Sequence, residues 1–455
     1  MRWSRRPWSP DIDDLAAAVR AADPVDVLPA RHAAEAGRVR GPLALVAATS
    51  LSATVTLTVV EDADSRRYAA PLVLDGDRVR RAVPGDGAAL ALVEALGRGS
   101  DGAFSLTRWD GHPVTAERVI DVDQSNESVI VHGPDGGAVV KWVVRVSDDA
   151  DPAPVRVARL VEAGFDAMPT PWGMVQWQPD PESPPSLVAM VTALVPDARD
   201  GWQWAVQDAV AYASGATSLH DSATAPGAAL GGIVAAMHLG LADSSPPVAD
   251  AEHAAAWHAE ALATLDDALA LMDGAERVRL ERHADALRSD LGALAHAAGT
   301  PLVPIHGDLH VGQVLHGTDG AYRVTDFDGN PVATPAERLA PQPAAVDVAG
   351  MAQSLDHVAY VVRHRTPGVD PAAVQRWRTT AVEAFLSSYR ATLDAAGRGD
   401  LLDERLLVPM RMRQVCREYV YAGRHLPHWR YVPDRAVRDR YEDSTVVAAK
   451  KDGPA

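Results

Sequence analysis

The sequence predicts an α+β chain in which a strand-rich N-terminal part gives way to a helical C-terminal part. Three observations carry this reading. β-Branched runs bounded by Gly, Pro and Asp dominate as far as about Val195, long Ala- and Leu-rich helical patterns follow Pro196, and only three short apolar runs interrupt those helices. With 455 residues, 47% of them hydrophobic, the chain has ample material for a packed core, which excludes disorder and small stapled scaffolds.

The elements follow in order. Pro10 with Asp11, Asp13 and Asp14 after Ser9 marks a helix start, and the helix runs to about Ala22. Pro42 to Thr49, Leu51 to Val60 and Tyr68 to Leu74 read as strands, the last ending at the turn Asp75-Gly76-Asp77. Gly87 to Gly97 returns to a helical pattern, and Gly97 to Gly102 has the composition of a linker, so a cap of residues 1–110 is expected. Residues 111–196 form a small β-rich lobe: strands on either side of Gln124-Ser125-Asn126, a hairpin of Ser128 to Val131 with Ala138 to Val146, a helix from Pro152 to Ala163, and strands at Pro169 to Gln178 and Ser186 to Val195. Residues 197–455 form the helical lobe. Its helices are expected at Trp202 to Ala213, Gly227 to Ala242 and Ala251 to Ala298, with three more between Ala344 and His425; short strands are expected at Leu302 to Ile305, Gln313 to His316 and Tyr322 to Thr325.

Composition limits the partners. A formal charge of -18 repels a phosphate backbone, so nucleic acid is not expected. The single cysteine, Cys416, can form neither an internal disulfide nor a cysteine-based zinc cage. No apolar stretch reads as a leader or a bilayer span, and the expected location is the cytoplasm, with a monomer as the expected state. Nearly every basic residue is Arg. The only lysines are Lys141, Lys450 and Lys451, and the only asparagines are Asn126 and Asn330.

Residues 303–331 read VPIHGDLHVGQVLHGTDGAYRVTDFDGNP. An Asp after a short apolar run, an amide side chain five residues later and a second Asp ending the next strand make the acid, amide, acid set of a kinase-like catalytic hairpin. In that set Asp308 orients an acceptor hydroxyl and receives its proton, while Gln313 and Asp326 offer hard oxygen ligands to the Mg²⁺ of a nucleoside triphosphate. His306 and His310 read as structural, bonding to loop backbone. Near the C-terminus, RQVCREYVYAGRHLPHWRY places Gln414, Glu418, Tyr421 and His425 on one helical face. Glu418 can accept from sugar hydroxyls or pair with an ammonium, and Trp429 can stack on a pyranose face; together they are the candidate acceptor pocket.

HGDLHVGQ with DFDG resembles the aminoglycoside phosphotransferase and maltokinase branch of the eukaryotic-like kinases, over about residues 115–430. The QSNES run 124–128 and VTALVPDARD, residues 191–200, support the resemblance. CREYVYAGRHLP, with DFDGNP, is similar to actinobacterial glucosamine kinases. The resemblance implies a bilobal, protein-kinase-like fold preceded by a cap, transferring the γ-phosphate of ATP to a sugar hydroxyl, O6 of glucosamine first among them. It also implies that Lys141 contacts the ATP phosphates, that Ser125 and Asn126 close over them, and that Ala193 and Val195 offer backbone groups to adenine. An ammonium acceptor would suit Asp308, Asp328 and Glu418 around the pocket. Maltokinase, aminoglycoside phosphotransferase and an inactive sugar- or nucleotide-binding relative are the alternatives. The last is motivated by a departure: the helix acid that pairs with the lysine in maltokinases is missing from Pro152-Ala-Pro-Val155-Arg156, and Glu162 is the nearest candidate.

Overall fold

The computed structural model describes residues 12–29, 39, 41–75, 78–119, 127–147 and 149–443. The chain divides into two compact units, Met1–Val157 with Met168–Pro196, and Ala158–Ala167 with Asp197–Ala455.

The first unit holds two antiparallel sheets. One runs β1 (Ala44–Ser50), β2 (Val55–Glu61), β3 (Arg67–Asp75) and β10 (Arg145–Val146), with β4 (Arg78–Arg81) also paired to β3. The other has seven strands: β5 (Gly99–Asp101), β6 (Phe104–Arg108), β7 (Ala116–Val119), β8 (Glu127–Gly133), β9 (Gly136–Trp142), β11 (Pro171–Trp177) and β12 (Ser186–Ala193), in the spatial order β5-β6-β11-β12-β9-β8-β7. Its helices are α1 (Ile12–Ala21), α2 (Pro24–Val27) and α3 (Ala88–Ala95), and α4 (Pro152–Glu162) leads out of it. One apolar core joins both sheets: Leu57 and Val59 of β2 and Leu92 of α3 are buried with Val131, Val140, Trp142, Val175 and Val191. Strand periodicity does the sorting. Ala138, Val140 and Trp142 of β9 point into this core, which places Lys141 on the opposite face.

The boundary expected near residue 110 lies inside this unit. The run 97–102, expected to be a linker, instead forms a β-hairpin: β5 pairs with β6, and β6 pairs in turn with β11. Gly97, Gly99 and Gly102 all have positive φ, which tight turning demands as much as a flexible linker tolerates.

The second unit is helical: α5 (Gly201–Ala213), α6 (Ala225–Leu241), α7 (Ala251–Leu271), α8 (Gly274–Leu291), α9 (Pro335–Leu339), α10 (Ala345–Arg365), α11 (Pro371–Ala395), α12 (Leu407–Arg424) and α13 (Tyr431–Arg438). A single hairpin, β13 (Val314–His316) with β14 (Tyr322–Val324), is set among them. The helical pattern expected over 251–298 is broken between Leu271 and Gly274 and ends in a 3₁₀ turn, Gly292–His296. Leu302 to Ile305 is not a strand: Pro301 and Pro304 remove two ladder donors, and Val303 makes only an isolated bridge to Gln342. By length and composition the helical stretch His220–Leu241 could cross a bilayer. Here it packs against α11 so closely that a Cβ added at Gly227 or Gly231 would lie 2.5 Å from the Ala381 carbonyl oxygen or 2.2 Å from that of Phe385. α10 is buried almost all round, as a central helix must be.

Candidate active site

The segment 306–313 is held by two helices of its unit, α5 and α10. A Cβ on Gly201, at the start of α5, would meet the Val311 carbonyl oxygen at 1.5 Å, and one on Gly350 of α10 would meet the Leu309 carbonyl oxygen at 2.7 Å. These two glycines let helix backbone abut the loop. Ser354 Oγ accepts from Val311 N–H at 2.9 Å, and Trp204 of α5 donates its indole N–H to the Val314 carbonyl at 3.0 Å.

The strongest hold comes from Asp347, fully buried in the first turn of α10. Its carboxylate accepts from the backbone N–H groups of His306 at 2.7 Å and Gly307 at 2.9 Å, and from His238 Nε2 at 3.1 Å. An ionised carboxylate only accepts, so His238 donates from Nε2, and its Nδ1 shares a hydrogen bond with the Tyr389 hydroxyl at 2.8 Å. The chain of bonds runs from Tyr389 on α11 through His238 on α6 to the loop itself. Burial alone would push the Asp347 carboxyl up; the His238 bond and the Gly307 N–H hold it below the usual carboxylate range.

His306 is fully buried, accepts the Asp308 N–H on Nδ1 at 3.3 Å and donates from Nε2 to the Thr325 carbonyl at 2.9 Å, the pattern of a neutral imidazole. It therefore ties Asp308 to Thr325, which follows β14 and precedes Asp326. His310 accepts the Gly312 N–H at 3.0 Å, and burial holds its pKa down at about 4. Both histidines act on backbone.

Gln313 and Asp326 come together: the Gln313 amide nitrogen lies 3.4 Å from Asp326 Oδ2, and the Thr325 N–H donates to the Gln313 carbonyl at 2.8 Å. Asp326 has φ 67, one of three non-glycine residues with positive φ among the described residues. That left-handed conformation, tolerable for Asp, turns its carboxylate out of the hairpin. Amide and carboxylate oxygens are hard donors and fit Mg²⁺, which completes its octahedron with water and phosphate oxygens rather than with a full protein cage. No cluster of three or more His, Cys, Asp or Glu suited to a metal occurs among the described residues. Burial pushes the Asp308 carboxyl above its ordinary value; the Asp326 charge adds to this, and Arg417 pulls it back.

Of the residues expected in the acceptor pocket, Glu418 of α12 lies 3.1 Å from His357 Nε2 and accepts from the Gln414 amide at 3.2 Å. Trp429 meets Trp202 edge-on at 6.4 Å, and Trp202 lies 6.4 Å from the His310 ring. Asp328 offers its carbonyl to Arg338 at 3.5 Å. Tyr421 and His425 are exposed, and Cys416 is a buried thiol pushed up to about 12.

In the first unit Lys141 is half-buried on β9, opposite Ser128 on one side and Met190 on the other. Ala193 donates its N–H to the Thr170 carbonyl at 2.7 Å, so the group it could offer a base is its carbonyl. Val195 follows at the end of β12, before Asp197, whose φ is 47. Ser125 and Asn126 lie outside the described residues. Glu162 is exposed in the last turn of α4, and Arg156 is buried in its second. Sequence reasoning missed Asp347, His238, Tyr389, Ser354 and Arg417. The available signal was a lone Asp and a lone His interrupting otherwise apolar helical runs, AVDVAGMA and AAMHLGL.

Comparison with known proteins is decisive for the family. The chain is 47% identical over 429 residues to a glucosamine kinase of Streptacidiphilus jiangxiensis, covering 92% of this chain and 96% of that one. This chain belongs to the glucosamine kinase family. A glucosamine kinase of Mycolicibacterium smegmatis is 42% identical over 385 residues, covering 83% of this chain and 94% of its own. A solved glucosamine kinase superposes with a TM-score of 0.84 at 46% identity, covering 94% of this chain and 99% of that one. A second solved glucosamine kinase, in complex with glucosamine, ADP and inorganic phosphate, gives a TM-score of 0.84 at 45% identity and the same coverage. The fold is the α+β fold of that family. No protein-family model matches the chain.

Proposed function

We propose that this chain is an ATP-dependent glucosamine kinase that moves the γ-phosphate of ATP to the 6-hydroxyl of glucosamine. The observation that carries the reading is the solved relative holding glucosamine, ADP and inorganic phosphate, to which this chain is 45% identical over 94% of its length. Local geometry supports it from the other direction. The loop with Asp308 is fixed by Asp347, His306 and Ser354, and Gln313 and Asp326 lie side by side, as two ligands of one metal ion would.

Asp308 accepts the proton of the attacking hydroxyl and aligns its oxygen. Its burial keeps the carboxylate poorly solvated and raises its basicity, against which the Arg417 charge acts. Gln313 and Asp326 hold the magnesium, which on binding neutralises charge on the triphosphate. Lys141 contacts the ATP phosphates as a compact ammonium, Ser125 and Asn126 close over them, and Ala193 and Val195 face the base. Glu418 meets the substrate ammonium or hydroxyls, Trp429 packs on the sugar face, and Asp308 with Asp328 adds negative charge around the cation. Residues 1–110 form an N-terminal cap, and the enzyme works as a cytoplasmic monomer.

The test is ADP release in the presence of magnesium, with glucosamine, maltose and an aminoglycoside offered separately at equal concentration. Glucosamine is expected to support the highest kcat/KM. Release driven by maltose alone, or ATP binding with no release on any acceptor, would overturn the assignment.

A further inference from the structure

The connection 120–126 joins β7 to β8, and an acid stands in each of these strands: Glu117 in β7 and Glu127 at the first residue of β8. Both acids are gripped by the part of the unit that precedes residue 110. Glu117 accepts four backbone N–H groups from a single turn, those of Gly85 at 2.7 Å, Gly87 at 3.1 Å, Ala89 at 2.7 Å and Leu90 at 3.1 Å. Positive φ at Gly85 (105°) and Gly87 (83°) turns successive N–H groups toward one acceptor, in the manner of an anion-binding nest. The turn is stiffened by Asp86, which accepts from Arg80 at 2.6 and 2.8 Å and from the Val83 N–H at 2.8 Å. On the far side of the connection, Arg81 of β4 pairs with Glu127.

The polar grip acts where apolar packing is incomplete. A cavity of about 280 Å³ remains between the turn and the strands, lined by Arg81, Glu117, Glu127 and Trp142 among others. Register carries the grip onward: Glu127 is opposite Trp142, and the next pair along is Ser128 with Lys141.

We propose that Arg81 and the 85–90 turn position the nucleotide-contacting strands by holding Glu127 and Glu117, so that the cap sets the enzyme's affinity for ATP. This rests on the kinase reading, in which Lys141 meets the phosphates. Neither acid touches substrate in this account; both are positioning residues.

The experiment uses the full chain, wild type and three variants: Glu117→Ala, Arg81→Glu, and the charge exchange Arg81→Glu with Glu127→Arg. The readouts are the Kd for a fluorescent N-methylanthraniloyl-ADP, which needs no turnover, and KM for ATP and for glucosamine. Losing charged hydrogen bonds that hold a strand should weaken nucleotide binding about tenfold in Glu117→Ala and Arg81→Glu, with KM for glucosamine held within about twofold, and the exchange should recover most of the loss. Unchanged probe affinity in both single variants overturns the proposal, as does a parallel rise of both KM values or a failure of the exchange to recover. Should Glu117→Ala fail to fold, the Arg81 and Glu127 pair decides alone. A wild type that binds the probe but releases no ADP would sink the kinase reading and leave the affinity comparison intact.

Discussion

Replacing Asp347 by Asn changes almost no volume, so its effect isolates charge and acceptor count at the support of the loop that carries Asp308. Three donors converge on the carboxylate: His306 N–H and His238 Nε2 on one oxygen at 2.7 and 3.1 Å, and Gly307 N–H on the other at 2.9 Å. An amide offers one oxygen. In its better orientation that oxygen keeps His306 and His238, and its NH₂ then confronts the Gly307 N–H, donor against donor, in a site that excludes water. Losing one charge-assisted bond and leaving a buried donor unpaired costs about 2–4 kcal/mol. Where the loop relaxes to recover part of this, Asp308 shifts, and misplacing a catalytic group by a fraction of an ångström lowers turnover by about one to two orders of magnitude. Steady-state ADP release with each substrate varied should show the fall in kcat, with KM for ATP nearly unchanged, and a thermal melt should show the lost stability. Wild-type kcat in Asp347→Asn with an unshifted melt would refute the support role.

The remaining predictions concern pH and close approach. Burial raises the Asp308 pKa, so the acid limb of kcat/KM should lie above the ordinary carboxylate range; Arg417→Leu removes one of the two charges, with His306, that pull it down and should move that limb to higher pH, whereas an unmoved limb would dissociate Asp308 from the base. Asp347 titrates in the opposite sense: its folded pKa is depressed, so its stabilising effect is complete above the unfolded value near 3.9 and is lost as pH falls toward the folded one, which acid melts can follow. Gly201→Ala drives a Cβ to 1.5 Å from the Val311 carbonyl oxygen, so expression of soluble enzyme or activity should collapse even though no substrate is touched; a normal melt and turnover would contradict the contact.

The arrangement of the candidate site was legible wherever it was local. HGDLHVGQ and DFDG place acid, amide and acid within 19 residues, and hairpin geometry alone brings Gln313 to Asp326. Lys141 stood out through composition, because Arg fills nearly every other basic position. What holds the loop was not legible. Asp347, His238 and Tyr389 come from three separate helices, and nothing in a sequence pattern says which buried polar groups will meet. The linker expected at 97–102 failed for a related reason: glycines at positive φ serve a tight hairpin and a flexible tether alike, and only pairing with β6 and β11 distinguishes them. Leu302 to Ile305 looked like a strand by apolarity, yet its prolines allow one bridge only.

The glycine contact between α6 and α11 bears on the loop of Asp308 through Tyr389 and His238. A Cβ at Gly231 would sit 2.8 Å from the Tyr389 nitrogen, so the spacing of these two helices fixes how far the phenol reaches. Catalytic competence is thereby exposed to crowding along a seam of small residues deep in the helical unit. A survey of inactivating substitutions would find hits there that look like packing defects and behave like lesions of the catalytic loop.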